Sequence, residues 1–202
     1  MSPTFSMNNK TISRSMLAGG NPLRNFDSIQ TVTVGSGGQS TVSFTSIPAT
    51  YTHLQIRFIA RSDRASSTDA AILRVGSDST SANYAMHSVY GDGASAIAFA
   101  ETSAAPNAFT GWRLTTIPAA SNTNTTTFGV GIVDILDYTN TNKKKVSRTL
   151  GGFDTNNTFA GQVELYSGVY LLNNNAISSL TLKPYAGTNF VQYSSFALYG
   201  IK

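Results

Sequence analysis

The sequence predicts an all-β protein built as an antiparallel sandwich or barrel, and two observations support this prediction. From residue 28 onward, short segments alternate apolar and polar side chains, which is the pattern of strands with one buried face. Ser, Thr, Asn and Gly make up 83 of the 202 residues, and this composition disfavours long helices but suits turns between strands. No segment in this region has a sustained helical period, and no internal repeat indicates a propeller or a solenoid.

About eleven short strands are predicted along residues 28–202, separated by turns at the spacing of an all-β domain. The first two, 29–34 and 41–45, flank the glycine-rich turn 35–38 and are predicted to pair as a hairpin. Segment 53–61 places its leucine, isoleucine and phenylalanine side chains on one face. The remaining predicted strands are 70–75, 83–90, 109–117, 126–138, 144–153, 162–172, 177–183 and 192–201.

Segment 132–136 is apolar at nearly every position, which indicates a strand that is covered on both faces. One face is expected to meet the core, and the other meets either a second subunit or a covering loop. Val133 and Ile135 are therefore candidate residues of a subunit seam. Asp134 alternates with Ile132, and we expect it to point inward, where it is hydrogen-bonded or faces the seam.

Residues 1–27 differ from the rest of the chain, because they scatter large apolar side chains among Ser, Asn and Gly without a period. The Gly-Gly-Asn-Pro run at 19–22 ends any helix that begins nearby. A disordered tail usually carries fewer large apolar residues. We therefore predict an extended arm that docks either on its own domain or on a partner protein. The candidate docking residues are Phe5, Met7, Ile12, Met16, Leu17, Leu23 and Phe26.

Composition and charge argue against several classes of protein. Only 12% of the residues are charged and the net charge is +4; no basic stripe with interleaved aromatic residues is present, so we expect no nucleic-acid binding. No apolar run approaches the length of a membrane-spanning helix. The first 20 residues lack the apolar core of a signal peptide, which predicts synthesis and retention in a cytoplasm. There are no cysteines, so a disulfide scaffold is excluded.

The sequence offers little chemistry for catalysis or for a bound metal. Its two histidines, His53 and His87, have no acidic or cysteine partner at metal-ligand spacing. No Gly-x-Ser-x-Gly elbow is present, and the ten acidic residues show no pair that stands out as a hydrolytic site. We therefore predict no catalytic residue, no metal and no cofactor.

Aromatic residues make up 10% of the chain, and they allow two interpretations. Exposed rings beside polar side chains are typical of sugar-binding sites, since the CH face of a sugar stacks on a ring. Bulky rings also fill the core of a sandwich, which is the stronger interpretation here. The candidate glycan contacts are Trp112, Tyr166, Tyr170 and Tyr185.

Several segments of the chain carry a family resemblance. The chain ends in Tyr193-Ser-Ser-Phe-Ala-Leu-Tyr-Gly-Ile-Lys202, and the further segments are 43–57, 83–93, 133–138 and 189–193. Together they resemble small structural proteins of tailed bacteriophages, especially those of marine and cyanobacterial phages. The resemblance covers about residues 28–202, and it is more specific for a fold and a kind of particle than for an activity.

This resemblance implies a non-enzymatic virion protein. We expect a β-sandwich of jelly-roll type, residues 28–202, that is attached to the particle through the arm at 1–27. The expected role is capsid decoration: a homotrimeric cement protein that binds the major capsid protein or another virion protein, with no contact to membrane. The alternative is a receptor-binding module of a head or tail fibre that recognises host surface glycans.

Overall fold

The computed structural model describes residues 25–101, 109–122, 125–155 and 161–202. Within these ranges the chain forms twelve strands and one single-turn 3-10 helix, Ser81–Asn83. The strands are β1 (Phe26–Thr33), β2 (Val42–Phe44), β3 (His53–Ala60), β4 (Thr68–Val75), β5 (Tyr84–Gly91), β6 (Ala96–Glu101), β7 (Trp112–Pro118), β8 (Gly129–Leu136), β9 (Lys145–Phe153), β10 (Gln162–Tyr170), β11 (Leu180–Pro184) and β12 (Ser195–Ile201).

The strands form two sheets of unequal width. The larger sheet has eight strands in the order β1-β12-β3-β8-β9-β10-β5-β6, and the smaller has four in the order β2-β11-β4-β7. Every pair of neighbouring strands is antiparallel. The chain is therefore an antiparallel β-sandwich, which confirms the predicted fold class.

The hydrophobic core lies between the two sheets. In β3, Leu54, Ile56 and Phe58 alternate with outward-facing polar residues and are at most 5% exposed. The smaller sheet contributes Phe44 and Leu182 from the opposite side, both fully buried. Full burial of each such side chain contributes on the order of 1.5–3 kcal/mol, so the period-2 pattern of these strands accounts for the association of the sheets.

The predicted hairpin between the first two strands is wrong. β1 pairs with β12, with Val32 opposite Phe196, whereas β2 pairs with β11 in the other sheet. The glycine-rich turn thus carries the chain from one sheet to the other. Gly38 has a φ of +70°, and a Cβ there would lie 3.1 Å from the carbonyl oxygen of Phe190. Turn residues predict a reversal of the chain, but they do not determine which strand becomes the neighbour.

Strand β6 is absent from the predicted set. Its sequence is rich in alanine, which is depleted in strands, and this explains why no strand was expected there. It pairs with β5 through a turn in which the Asp92 carboxylate accepts hydrogen bonds from the backbone N–H groups of Ala94 (2.9 Å) and Ser95 (2.7 Å).

The difference in sheet width positions the candidate site. β7 is the edge strand of the smaller sheet and packs over β8, β9 and β10. The approach is close: a Cβ on Gly168 of β10 would lie 2.6 Å from Cδ1 of Trp112 in β7. Beyond this edge, no strand of the smaller sheet lies over the inner face of β6 within the described part of the chain.

Candidate functional site

The outer face of the larger sheet carries a group of exposed apolar side chains. They project from β3, β8, β9, β10 and β5, away from the core, and are 41–67% exposed. We call this group the apolar face; its members are Ile59, Val89, Val130, Ile132, Leu136, Val146, Leu150, Val163 and Leu165.

The strand register joins seven of these side chains into one continuous patch and separates Leu136 and Val146 from it by the outward row Asp134, Arg148 and Ser167; the seven are Ile59, Val89, Val130, Ile132, Leu150, Val163 and Leu165. Ile132 lies opposite Leu150, Leu150 lies opposite Leu165, and Leu165 lies opposite Val89. Side chains that are directly opposite on neighbouring strands are in contact. Monomeric proteins rarely expose apolar patches beyond a few hundred Å², so the apolar face is a candidate interaction surface.

A depression of about 680 Å³ lies within the apolar face. It forms where two strand positions lack side chains: Gly152 lies opposite both Val130 and Val163, and Gly91 also lies opposite Val163. The side chains around the glycines stand above them, which gives the face a shape that can receive a projecting side chain.

Polar residues border the seven-residue patch and divide it from Leu136 and Val146. Asp134 accepts a hydrogen bond from Nε2 of Gln55 at 2.8 Å and from a guanidinium nitrogen of Arg148 at 3.1 Å. Nε of Arg57 donates to Oε1 of the same Gln55 at 2.8 Å. Asp134 therefore points outward, and the expectation that it points inward is wrong. Its face of β8 is the outer one, which periodicity alone could not decide because both faces of that strand are apolar.

The two candidate seam residues lie on the opposite side of the same strand. Val133 and Ile135 are fully buried in the core, so the prediction that they form a subunit seam is wrong. A seam on β8 has to use the alternate residues Val130, Ile132 and Leu136, which are 41–52% exposed.

Of the seven candidate docking residues in the predicted arm, only Phe26 lies within the described residues. It is part of β1, where its ring stacks on Tyr199 with a centroid distance of 4.6 Å and lies beneath the guanidinium of Arg57. The sheet thus begins two residues before the predicted boundary. Phe5, Met7, Ile12, Met16, Leu17 and Leu23 lie outside the described residues.

A second candidate site, which we call the aromatic pocket, lies beside β7, where the smaller sheet ends over the inner face of the larger one and leaves β6 uncovered. Its volume is about 490 Å³. Side chains from both sheets and from the segment after β11 line it. They are Arg64, Thr68, Asp69, Ala70, Tyr90, Ile97, Phe99, Phe109, Arg113, Thr116, Gln162, Glu164 and Tyr185.

Glu164 is the central buried acid of the aromatic pocket and is 1% exposed. Its carboxylate accepts hydrogen bonds from the hydroxyls of Thr115 and Thr116, each at 2.7 Å, and from the Thr116 backbone N–H. A guanidinium nitrogen of Arg113 lies 3.7 Å from Oε1. These groups satisfy the carboxylate from within the protein and join β10 to β7.

Arg113 is held among aromatic rings. Its guanidinium carbon lies 5.2 Å from the ring centroid of Phe109, 5.6 Å from that of Tyr166 and 6.0 Å from that of Phe99. These distances are typical of cation–π contacts. One terminal N–H donates to Oγ1 of Thr116 at 2.7 Å, whereas the buried Nε–H has no hydrogen-bond partner among the described residues.

Backbone contacts fix the segment that presents Tyr185. The backbone N–H of Tyr185 donates to the carbonyl of Ala70 at 2.8 Å. The buried carboxylate of Asp69 accepts hydrogen bonds from the N–H groups of Ala186 (3.1 Å) and Gly187 (2.9 Å). The Tyr185 ring packs against Phe109, with a centroid distance of 4.2 Å. Tyr185 is 38% exposed, and its orientation is set by the fold.

The other three candidate glycan contacts lie in the core. Trp112, Tyr166 and Tyr170 are 1%, 2% and 4% exposed, so these rings fill the sandwich, as the alternative interpretation predicted. The hydroxyl of Tyr170 donates to the Asp78 carboxylate at 2.9 Å. Burial, followed by this hydrogen bond and the nearby negative charge, raises the pKa of Tyr170 above its ordinary value.

Sequence reasoning missed the other residues of the aromatic pocket, although one signal was present. Glu164, Tyr166, Gly168 and Tyr170 share one face of β10, so an inward Tyr166 implies an inward Glu164. Phe99 lies in the strand that was not predicted, and nothing in its local sequence brings it near Arg113.

In the part of the chain that the structure describes, neither histidine lies in a cluster of metal-ligating side chains. Nδ1 of His53 accepts a hydrogen bond from the backbone N–H of Asp137 at 3.0 Å, and His87 is exposed on β5. Among the described residues, no three side chains of the His, Cys, Asp and Glu types form a group that could hold a metal ion. Over the same ranges, no helix has the length and hydropathy needed to span a bilayer.

No protein family matches this chain, and no curated protein or solved structure is significantly similar to it.

Proposed function

We propose that this chain is a structural protein of a tailed-bacteriophage particle: a decoration protein that assembles as a homotrimer and attaches to the shell through the segment that precedes the sandwich. The apolar face is the observation that carries the proposal. Nine exposed aliphatic side chains on one sheet face need a protein partner to remove them from water. The family resemblance of residues 28–202 supports a virion as the setting.

The composition of the apolar face favours further copies of this chain as the partner. Interfaces between identical subunits are more apolar than transient ones, and charged residues are depleted from their centres. The seven-residue patch of the apolar face fits this description, because Asp134, Arg57 and Arg148 lie beside it and not within it. The low charge of the chain opposes association only weakly. A stable trimer of this kind should bury more than about 2,000 Å² at an interface.

The strand order supports a jelly-roll topology, which is common among capsid proteins. A jelly roll places its first, eighth, third and sixth strands in one sheet and its second, seventh, fourth and fifth strands in the other. If β2 is counted as the first strand, the smaller sheet β2-β11-β4-β7 has this order. The larger sheet follows as β3, β10, β5 and β6, with the hairpin β8-β9 inserted between the first two and β12 and β1 added at one edge.

Light scattering coupled to size exclusion tests the assembly. At micromolar concentration we expect a mass of about 64 kDa, which is three times the 21.4 kDa of one chain. Leu150→Lys should give a monomer, because a charge placed in the centre of the interface has no partner. The matched control is Leu172→Lys, which makes the same change at an equally exposed leucine outside the larger sheet. A wild-type monomer, or trimers formed by both variants, would refute this role of the apolar face.

Measurements on purified virions test whether this chain is a decoration protein. A decoration protein should be present in many copies per purified virion, and adding it to bare shells should raise their resistance to heat, since it binds only the assembled state. A fibre module should be present in few copies. The receptor-binding alternative is favoured by a separate observation, the aromatic pocket.

A further inference from the structure

The aromatic pocket has the size and shape of a small-ligand site. Its volume of about 490 Å³ falls within the usual range for such sites, and the unequal width of the two sheets leaves it open at one side. The Tyr185 ring, 38% exposed and packed against Phe109, offers an aromatic surface at its wall. A ring of this kind suits a ligand that has a flat apolar face, such as the CH face of a pyranose.

The charges that remain available to a ligand in the aromatic pocket are positive. Glu164 and Asp69 are buried, and their carboxylate oxygens already accept hydrogen bonds from backbone and hydroxyl donors. Arg113, by contrast, lines the pocket with a side chain that is 22% exposed, although its unpaired Nε–H is itself buried. Arg64 is 42% exposed; one terminal nitrogen donates to the carbonyl of Thr68 at 3.2 Å and lies 3.9 Å from Asp69, which leaves the other N–H groups of the guanidinium for a ligand. A guanidinium is suited to bind a carboxylate, because its planar N–H groups match the two oxygens.

We propose that the aromatic pocket binds an acidic sugar: a pyranose that carries a carboxylate, such as the uronic and sialic acid residues of surface polysaccharides. The sugar ring lies against Tyr185, and its carboxylate is bound by Arg64 and Arg113. Asp69 and Glu164 act as positioning residues, because Asp69 fixes the segment that carries Tyr185 and Glu164 holds the Arg113 guanidinium. This inference goes beyond assembly, since it assigns the sandwich a ligand that the apolar face does not bind.

Titration of the full chain with single sugars, followed by calorimetry and ligand-observed NMR, tests the proposal. The probes are glucuronate, galacturonate and N-acetylneuraminate. Glucose is the control for a sugar ring without a carboxylate, and acetate is the control for a carboxylate without a sugar ring. We expect at least one acid to bind at least tenfold more tightly than glucose and acetate. Tyr185→Ala and Arg64→Ala should each weaken that binding about tenfold, whereas Tyr185→Phe should retain most of it.

The controls separate this site from the fold and from assembly. Leu172→Ala, a truncation at a surface leucine remote from the lining residues, should bind the acid as the wild type does. Leu150→Lys should also bind it normally, even as a monomer, so that failure of the assembly proposal leaves this result unaffected. If none of the three acids binds, if glucose or acetate binds equally well, or if Arg64→Ala and Tyr185→Ala leave affinity unchanged while their thermal transitions remain native, the proposal is wrong.

Discussion

Replacing Glu164 by alanine should destabilise the fold by about 3–5 kcal/mol, because the substitution leaves buried partners without their acceptor. The Thr116 N–H loses its hydrogen bond, at a cost of about 1–3 kcal/mol. Arg113 loses the carboxylate 3.7 Å away and remains largely buried as a charge. The Thr115 hydroxyl loses less, since it also lies 3.3 Å from the carbonyl of Thr116.

Equilibrium unfolding in urea measures this loss, with the fluorescence of Trp112, the single and buried tryptophan, as the signal. In a chain of this size the thermal midpoint should fall by about 6–20 °C. Glu164→Gln keeps the side-chain volume and one acceptor oxygen, so it should lose about half of the unfolding free energy that Glu164→Ala loses. Ser167→Ala, at an exposed position of the same strand, is the control and should change stability by less than about 0.5 kcal/mol. A loss below about 1 kcal/mol in Glu164→Ala would show that the carboxylate is not needed to satisfy its neighbours.

Three further predictions concern packing and pH. Ile135→Ala should lower the free energy of unfolding in urea by about 2–5 kcal/mol. Ile132→Ala, on the outer face of the same strand, should mainly weaken self-association in light scattering. If both variants lose the same free energy of unfolding, the assignment of the two faces is wrong. Gly168→Ala should lower the free energy of unfolding by about 1–3 kcal/mol and shift the fluorescence emission of Trp112, because the added Cβ would lie 2.6 Å from the indole. An unshifted spectrum together with native stability would argue against this contact. Burial opposes ionisation of Asp78, but hydrogen bonds from Thr80, Asn83 and Tyr170 lower its pKa below the ordinary value. This carboxylate therefore adds stability above about pH 4 that is lost as the pH falls through its folded pKa. In Asp78→Asn, the urea midpoint of unfolding should decrease less steeply as the pH falls below about 4. If the midpoint of the variant depends on pH as that of the wild type does, the prediction is wrong.

The sequence by itself determined the fold class and most of the strands. The period-2 pattern of residues 53–61 specified both a strand and its buried face, because only one of its faces is consistently apolar. The same reasoning failed at Gly129–Leu136, where both faces are apolar: alternation grouped Val133 with Ile135, but it could not say which group faced the core. The prediction of a seam on the wrong face follows from that ambiguity.

Only the tertiary structure decided which strands are neighbours and which side chains meet. β1 and β12 lie at opposite ends of the chain, and their pairing depends on long-range contacts that no local pattern encodes. The aromatic pocket brings together Phe99, Arg113, Glu164 and Tyr185 from four separate segments. The pocket exists because a four-stranded sheet cannot cover an eight-stranded one, and that difference in width is a property of the whole fold, not of any one segment.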